Sequence, residues 1–175
     1  MYYEFTAFYK RDTYFVYSED NAIDWIEFET GGSKKNIQQI IYNVDKIDTY
    51  IDKYDVLPTM GLPLVSSKFK EVFTDLISID IEFFSTTIID EKGNKNENFY
   101  AMNILNVIPC LDKEKSIIET KEYGITIKKL RIIPNALKNY SIARMEEHAS
   151  YIIVTEDFKR KSNEGKLKGI KFISE

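Results

Sequence analysis

"LVSSKFKEVF", Leu64 to Phe73, and "IVTEDFKRKS", Ile153 to Ser162, follow one course: an aliphatic residue, Val, a hydroxyl residue, two polar residues, Phe and Lys. A hydroxyl side chain between an apolar run and a helical pattern can accept a hydrogen bond from an orphan N–H of the first helical turn. Ser66 and Thr155 are therefore expected to cap two helices, at about 66–77 and 155–164. After Ser66, the residues Phe69, Val72, Phe73 and Leu76 recur at three- and four-residue steps and form one apolar face, while Lys68, Lys70 and Glu71 point away. That face calls for a sheet to cover it. After Thr155, Glu156 and Asp157 occupy the positive helix end. Glu156/Arg160 and Asp157/Lys161 have i,i+4 spacing, and Gly165 is the expected stop. A catalytic serine is not indicated, because Ser66 stands in neither G-x-S-x-G nor S-x-x-K.

Around these helices, aromatic and β-branched residues dominate, which predicts an α+β fold with a mostly antiparallel or mixed β-sheet. Strands are expected at Tyr2 to Tyr9 and Tyr14 to Tyr17, with extended segments at "NIQQIIYNV" and "KIDTYIDKY". In the last of these the carboxylates Asp45, Asp48, Asp52 and Asp55 fall at helical spacing, but its Thr, Tyr and Ile content favours a strand. A long hairpin follows the first helix: "ISIDIEFFSTTII" rises, Gly93 sits in the polar turn "DEKGNKNEN", and "FYAMNILNVIPC" returns. The return segment is apolar on both faces and should be a central strand, with Asn103 facing burial and needing hydrogen-bond partners. "GITIKKLRII", "SIARM", "SYIIV" and "GIKFI" complete the strands. No linker-like segment divides the chain, and 175 residues suit one domain spanning 1–175.

Composition narrows the function. A net charge of −4 favours a basic partner and argues against nucleic acid, which would need clustered Lys and Arg. No apolar run approaches a membrane span. The first residues lack the basic start and cleavage site of a secretory signal, so the expected location is the cytoplasm. The single Cys110 lies among apolar neighbours and reads as a buried thiol, and the single His148 has no evident tie to it. With no H-E-x-x-H, C-x-x-C, calcium-loop spacing or phosphate-binding glycine loop, neither a metal nor a cofactor is expected. Gly31-Gly32 reads as a turn, and Glu146/Glu147 as exposed charge. If residues 46–54 are a strand, Asp48, Tyr50, Asp52 and Tyr54 share one acidic, aromatic face suited to a basic protein partner.

The order of segments resembles immunity protein family eleven of bacterial polymorphic-toxin systems, formerly a domain of unknown function. The resemblance is carried by "LPLVSSKFKEVF", "FYAMNILNVIPCLDKEKS", "SIARMEEHASYIIVTEDFK" and "LKGIKFI", and spans about Trp25 to Phe172. It implies a non-enzymatic protein that binds and neutralises a cognate toxin. It also marks Trp25, Asn103, Asp112, Ser116 and Arg144 as motif positions, of which Trp25 and Asn103 are expected to be structural. Two alternatives stay open: a small hydrolase or a nucleotide- or sugar-modifying enzyme using Asp112, Asn103, Arg144 and His148, and a scaffold that oligomerises through sheet edges.

Overall fold

Ser66 Oγ accepts from the Phe69 N–H at 3.2 Å and Thr155 Oγ from the Phe158 N–H at 3.3 Å, so both repeated segments are capped strand-to-helix junctions. The computed structural model describes residues 1–122 and 124–174. In chain order its strands are β1 (Tyr2–Ala7), β2 (Phe15–Tyr17), β3 (Ile40–Val44), β4 (Val56–Leu57), β5 (Thr59–Met60), β6 (Leu64–Ser66) and β7 (Ile81–Asp90). They continue as β8 (Lys95–Asn96), β9 (Phe99–Ile104), β10 (Val107–Ile108), β11 (Ile117–Lys121), β12 (Gly124–Lys129), β13 (Ile142–Met145), β14 (Ile152–Thr155) and β15 (Ile170–Ser174). The helices are α1 (Ile26–Glu29), α2 (Ser67–Val72) and α3 (Glu156–Glu164), with 3-10 turns at Ile51–Lys53 and Thr74–Leu76. The predicted first helix is thus a short α-helix followed by a 3-10 turn, and α1 had no counterpart in the sequence reading.

The strands form mixed, mainly antiparallel sheets, as expected of an α+β chain. One sheet runs β10-β13-β14-β1-β15, the larger runs β4-β6-β9-β7-β3-β2-β5 with β8 added to β7, and β11-β12 is a separate ribbon. The ends of the larger sheet, β4 and β5, are separated in sequence only by Pro58. That sheet therefore curls until its two edges are neighbours in the chain. Inside the curl lie Phe15, Tyr17, Phe28, Tyr42, Leu57, Phe84 and Phe99. A second apolar layer joins β1, β9 and β13 to α2 and α3 through Phe5, Met102, Ile104, Ile142, Phe69, Phe73 and Phe158. A third, on the other face of β13, contains Cys110, Leu111, Ala143, Met145 and Ile153.

Six residues cannot sustain an isolated helix in water. α2 is held because Phe69 and Phe73 are fully buried, and Phe73 stacks on Phe158 of α3 at 4.1 Å and 11°. Each such ring contributes about 1.5 to 3 kcal/mol on burial. Gly165 ends α3 as expected, though not by a left-handed conformation: its φ is −70°, and Lys166 takes the positive φ of 51°. Its missing Cβ is what matters, since one there would stand 2.7 Å from a Val72 methyl. The helical ion pairs differ from those expected. Arg160 pairs with Asp157 and Glu164, Lys161 reaches Asp75 on the 3-10 turn after α2, and Glu156 accepts from Tyr3.

β9 lies between β6 and β7 and is covered on both faces, with Phe99 and Ala101 in the first layer and Met102 and Ile104 in the second. The predicted return strand, however, breaks at Leu105-Asn106, after which β10 leaves to pair in parallel with β13. The larger correction concerns residues 46–54, which form no strand. Ile47, Tyr50, Ile51 and Tyr54 all pack on the first layer, at i, i+3, i+4 and i+7. The helical period prevailed, and the chain there is a turn leading into the 3-10 segment Ile51–Lys53.

Candidate functional site

A cleft of about 380 Å³ separates the five-stranded sheet from the β4–β5 edge of the larger one. Phe5, Thr6 and Ala7 of β1, Arg144 of β13 and Ile152 of β14 line it on one side. Val56, Leu57, Pro58, Thr59, Met60, Gly61 and Pro63 line it on the other, joined by Trp25, the residue before α1, and Glu29 at its end. The turn at Gly61 requires glycine twice over. Its φ is 133°, and a Cβ would meet Tyr17 Cβ at 2.8 Å.

An apolar ridge borders this cleft. Val16 and Met60 are register neighbours on the parallel pair β2/β5, and both face solvent, Met60 at 59% exposure. Trp25 is 38% exposed and, like Met60, lines both the cleft and an adjoining depression of about 540 Å³. Tyr14 and Ile26 are also exposed. Exposed Trp, Tyr and Met beside concave surface are the composition of protein-contact cores rather than of ordinary solvent-facing surface.

Arg144 is the buried charged group of this cleft. Along β13, Ala143 and Met145 face the third apolar layer, while Ile142 faces the second, so strand alternation turns Arg144 to the Ile142 side. It is 5% exposed. Its Nη1 donates to Ala149 O, and its Nε has no protein acceptor among the described residues. Burial lowers its pKa from the ordinary arginine value, and the Glu29 carboxylate works against that shift.

Of the other motif positions, Asn103, Asp112 and Ser116 are engaged within the fold. Asn103, fully buried, donates from Nδ2 to Gly32 O at 2.9 Å and Glu82 Oε1 at 2.8 Å. Both glycines of the predicted Gly31-Gly32 turn have φ of 73°. Asp112 pairs with Lys115 at 3.1 Å, a contact that holds its carboxyl below the usual range. Ser116 Oγ bridges both backbone groups of Arg131, donating to its O at 3.2 Å and accepting from its N at 3.0 Å. Trp25 is half-exposed at the start of α1 and lines the cleft rather than the core.

A family model described as the immunity protein family (Imm11) matches residues 38–174. The chain belongs to this family. No curated protein matches it. Membership implies an immunity function, with a toxin as the partner that function requires, and it suggests a non-enzymatic role.

For an Imm11 member, the residues first read as a contact face have a different setting. Asp48 is buried, accepting from Tyr9 Oη at 3.1 Å and Arg11 Nε at 3.0 Å. Burial first, and then this carboxylate, raise the Tyr9 phenol pKa. Asp52 is exposed but fastened to Asn96 and Asn98 at 3.0 and 3.1 Å. Tyr50 lies under Lys10 at 5.3 Å, and Tyr54 packs on Tyr9 at 4.7 Å. With residues 46–54 turned rather than extended, the four residues share no strand face.

The residues offered for an enzyme are likewise dispersed. Among the described residues no hydrogen bond or ion pair joins any two of Asp112, Asn103, Arg144 and His148. His148 Nδ1 is 2.8 Å from Ser150 Oγ. Cys110 is fully buried, and burial together with the nearby Glu147 carboxylate pushes its thiol up to about 12. Glu147, expected to be exposed charge, instead accepts from the Cys110 and Leu111 N–H groups at 3.2 and 3.3 Å. No group of three or more His, Cys, Asp and Glu among the described residues is placed to hold a metal. No helix among them is long and apolar enough to cross a membrane.

The cleft eluded sequence reading because its residues come from five separate segments. The available signal was Arg144 itself, a charge at an inward position of the apolar strand "SIARM".

Proposed function

We propose that this chain, acting as a single domain in the bacterial cytoplasm, binds one cognate toxin stoichiometrically and neutralises it without chemistry. The observation that carries this reading is membership of the immunity protein family across residues 38–174. The net charge of −4 fits a basic toxin surface, whose approach it would steer. The centre of the contact is the ridge of Tyr14, Val16, Trp25, Ile26 and Met60, because rigid aromatic and Met side chains next to a cleft can seat in a partner and exclude water. Of the acidic, aromatic group, Asp48 serves the fold, and Asp52, Tyr50 and Tyr54 form a flank that contributes to association rate more than to residence time.

Co-expression with the toxin domain encoded beside the gene, followed by co-purification and titration of toxin activity, tests the reading. Protection should end at one immunity molecule per toxin, and Asp52→Lys should slow association at low salt. Protection persisting far below that ratio would replace binding with an enzymatic mechanism. Failure of the toxin domain to bind would remove the immunity role.

A further inference from the structure

An inward position on a strand inside an apolar layer normally holds an aliphatic side chain, and β13 has Arg144 there. A guanidinium offers five N–H donors in a fixed plane, and among the described residues that of Arg144 places one hydrogen bond, to Ala149 O. Leaving a buried charge so poorly matched is costly to the folded state. Glu29, which lines the same cleft, forms no ion pair with it among the described residues. The cleft is many times the roughly 30 Å³ share of one water. The cleft is also lined by Ile152, the register partner of Arg144, and by Phe5 and Leu57, apolar side chains that would strengthen an ion pair made against them.

We propose that Arg144 is the receptor for one acidic side chain of the toxin, an Asp or Glu that enters the cleft beside Trp25 and binds the guanidinium in bidentate fashion. Glu29 then favours a Lys or Arg next to that acid, so the recognised feature is a lone carboxylate within a basic surface. A phosphate ester or nucleic acid fits less well. The cleft presents a single cation with a carboxylate beside it, on a chain of net charge −4. A planar carboxylate matches the guanidinium fork, and the apolar walls suit the methylene groups that carry it. The inference rests on the immunity reading.

The test uses the full chain with the toxin domain encoded beside its gene. Arg144→Met should weaken binding by at least about 30-fold, mainly through faster dissociation, while its melting temperature equals or exceeds that of the wild type. Arg144→Lys should recover only part of the affinity, because a point charge lacks the fork. Neutralising the toxin's acids one at a time, Asp→Asn or Glu→Gln, should reveal one whose loss matches that of Arg144→Met. Combining the two changes should add nothing further.

If Arg144→Met does not fold, the lysine variant and the toxin-side scan carry the same test. Equal affinity of wild type and folded variant would overturn the proposal while leaving the immunity role intact. So would losses that follow a lowered melting temperature, or that add to those of every toxin acid. A wild-type chain that does not bind the toxin domain would overturn the immunity reading, and this inference with it.

Discussion

Asn103 on β9 and Arg144 on β13 are both buried polar side chains within apolar strands, and each has one fully buried atom without a hydrogen-bond partner among the described residues. Their surroundings differ. Asn103 is enclosed, and its amide ties the Gly31-Gly32 turn to the Glu82 carboxylate, which in turn accepts from Ser33 Oγ and the Lys34 N–H. Arg144 has one backbone acceptor among the described residues and borders a cleft. If Arg144 receives the toxin as proposed, burial alone does not separate structural from functional polar groups. What distinguishes these two residues is that one is enclosed by protein and the other lines a cleft.

The sharpest way to break this contrast is Asn103→Leu. It should cost about 2 to 3 kcal/mol, because it takes away the donor that the Gly32 carbonyl and the Glu82 carboxylate share. Urea unfolding would measure the loss, and a near-neutral result would remove Asn103 from the structural class. Next is Ser66→Ala, which deletes the acceptor for the Phe69 N–H and the hydroxyl that donates to Asp55 at 2.6 Å. It should cost about 1 to 2 kcal/mol, and Thr155→Ala, whose cap bond is longer, about 0.5 to 1 kcal/mol. Reversal of that order in thermal melts would show that the Asp55 link is idle. Arg144→Met should leave stability equal to that of the wild type or raise it, since an apolar side chain replaces an uncompensated charge. A loss as large as that of Asn103→Leu would erase the distinction. The smallest stability effect is expected for Met60→Ala, within about 0.5 kcal/mol for so exposed a side chain. Binding to the toxin domain should nonetheless weaken several-fold, and unchanged binding would move the contact off the ridge.

The most legible parts of the fold were those ruled by local chemistry. Both caps, the apolar face after Ser66, the doubly covered β9 and the strands in "SIARM", "SYIIV" and "GIKFI" all stand where side-chain pattern placed them. Asn103 was legible as a buried amide because its neighbours alternate without polar relief. Gly165 was legible as a helix end, but its cause, the Val72 methyl, lies 93 residues earlier in the chain. Residues 46–54 carried two periods at once, and nothing local could choose between them. Tyr9 and Arg11 decided the matter by drawing Asp48 inward.

The sequence by itself determined most of the strands, where two helices begin, the net charge of −4 and the family to which the chain belongs, because each is written in neighbouring residues or in their order. Only the tertiary structure decided that Trp25, Met60 and Arg144 meet at one cleft. That meeting requires the larger sheet to curl until β4 and β5 adjoin, bringing them against β1 and β13. Such closure is set by the packing of buried rings from distant segments, which no local pattern encodes.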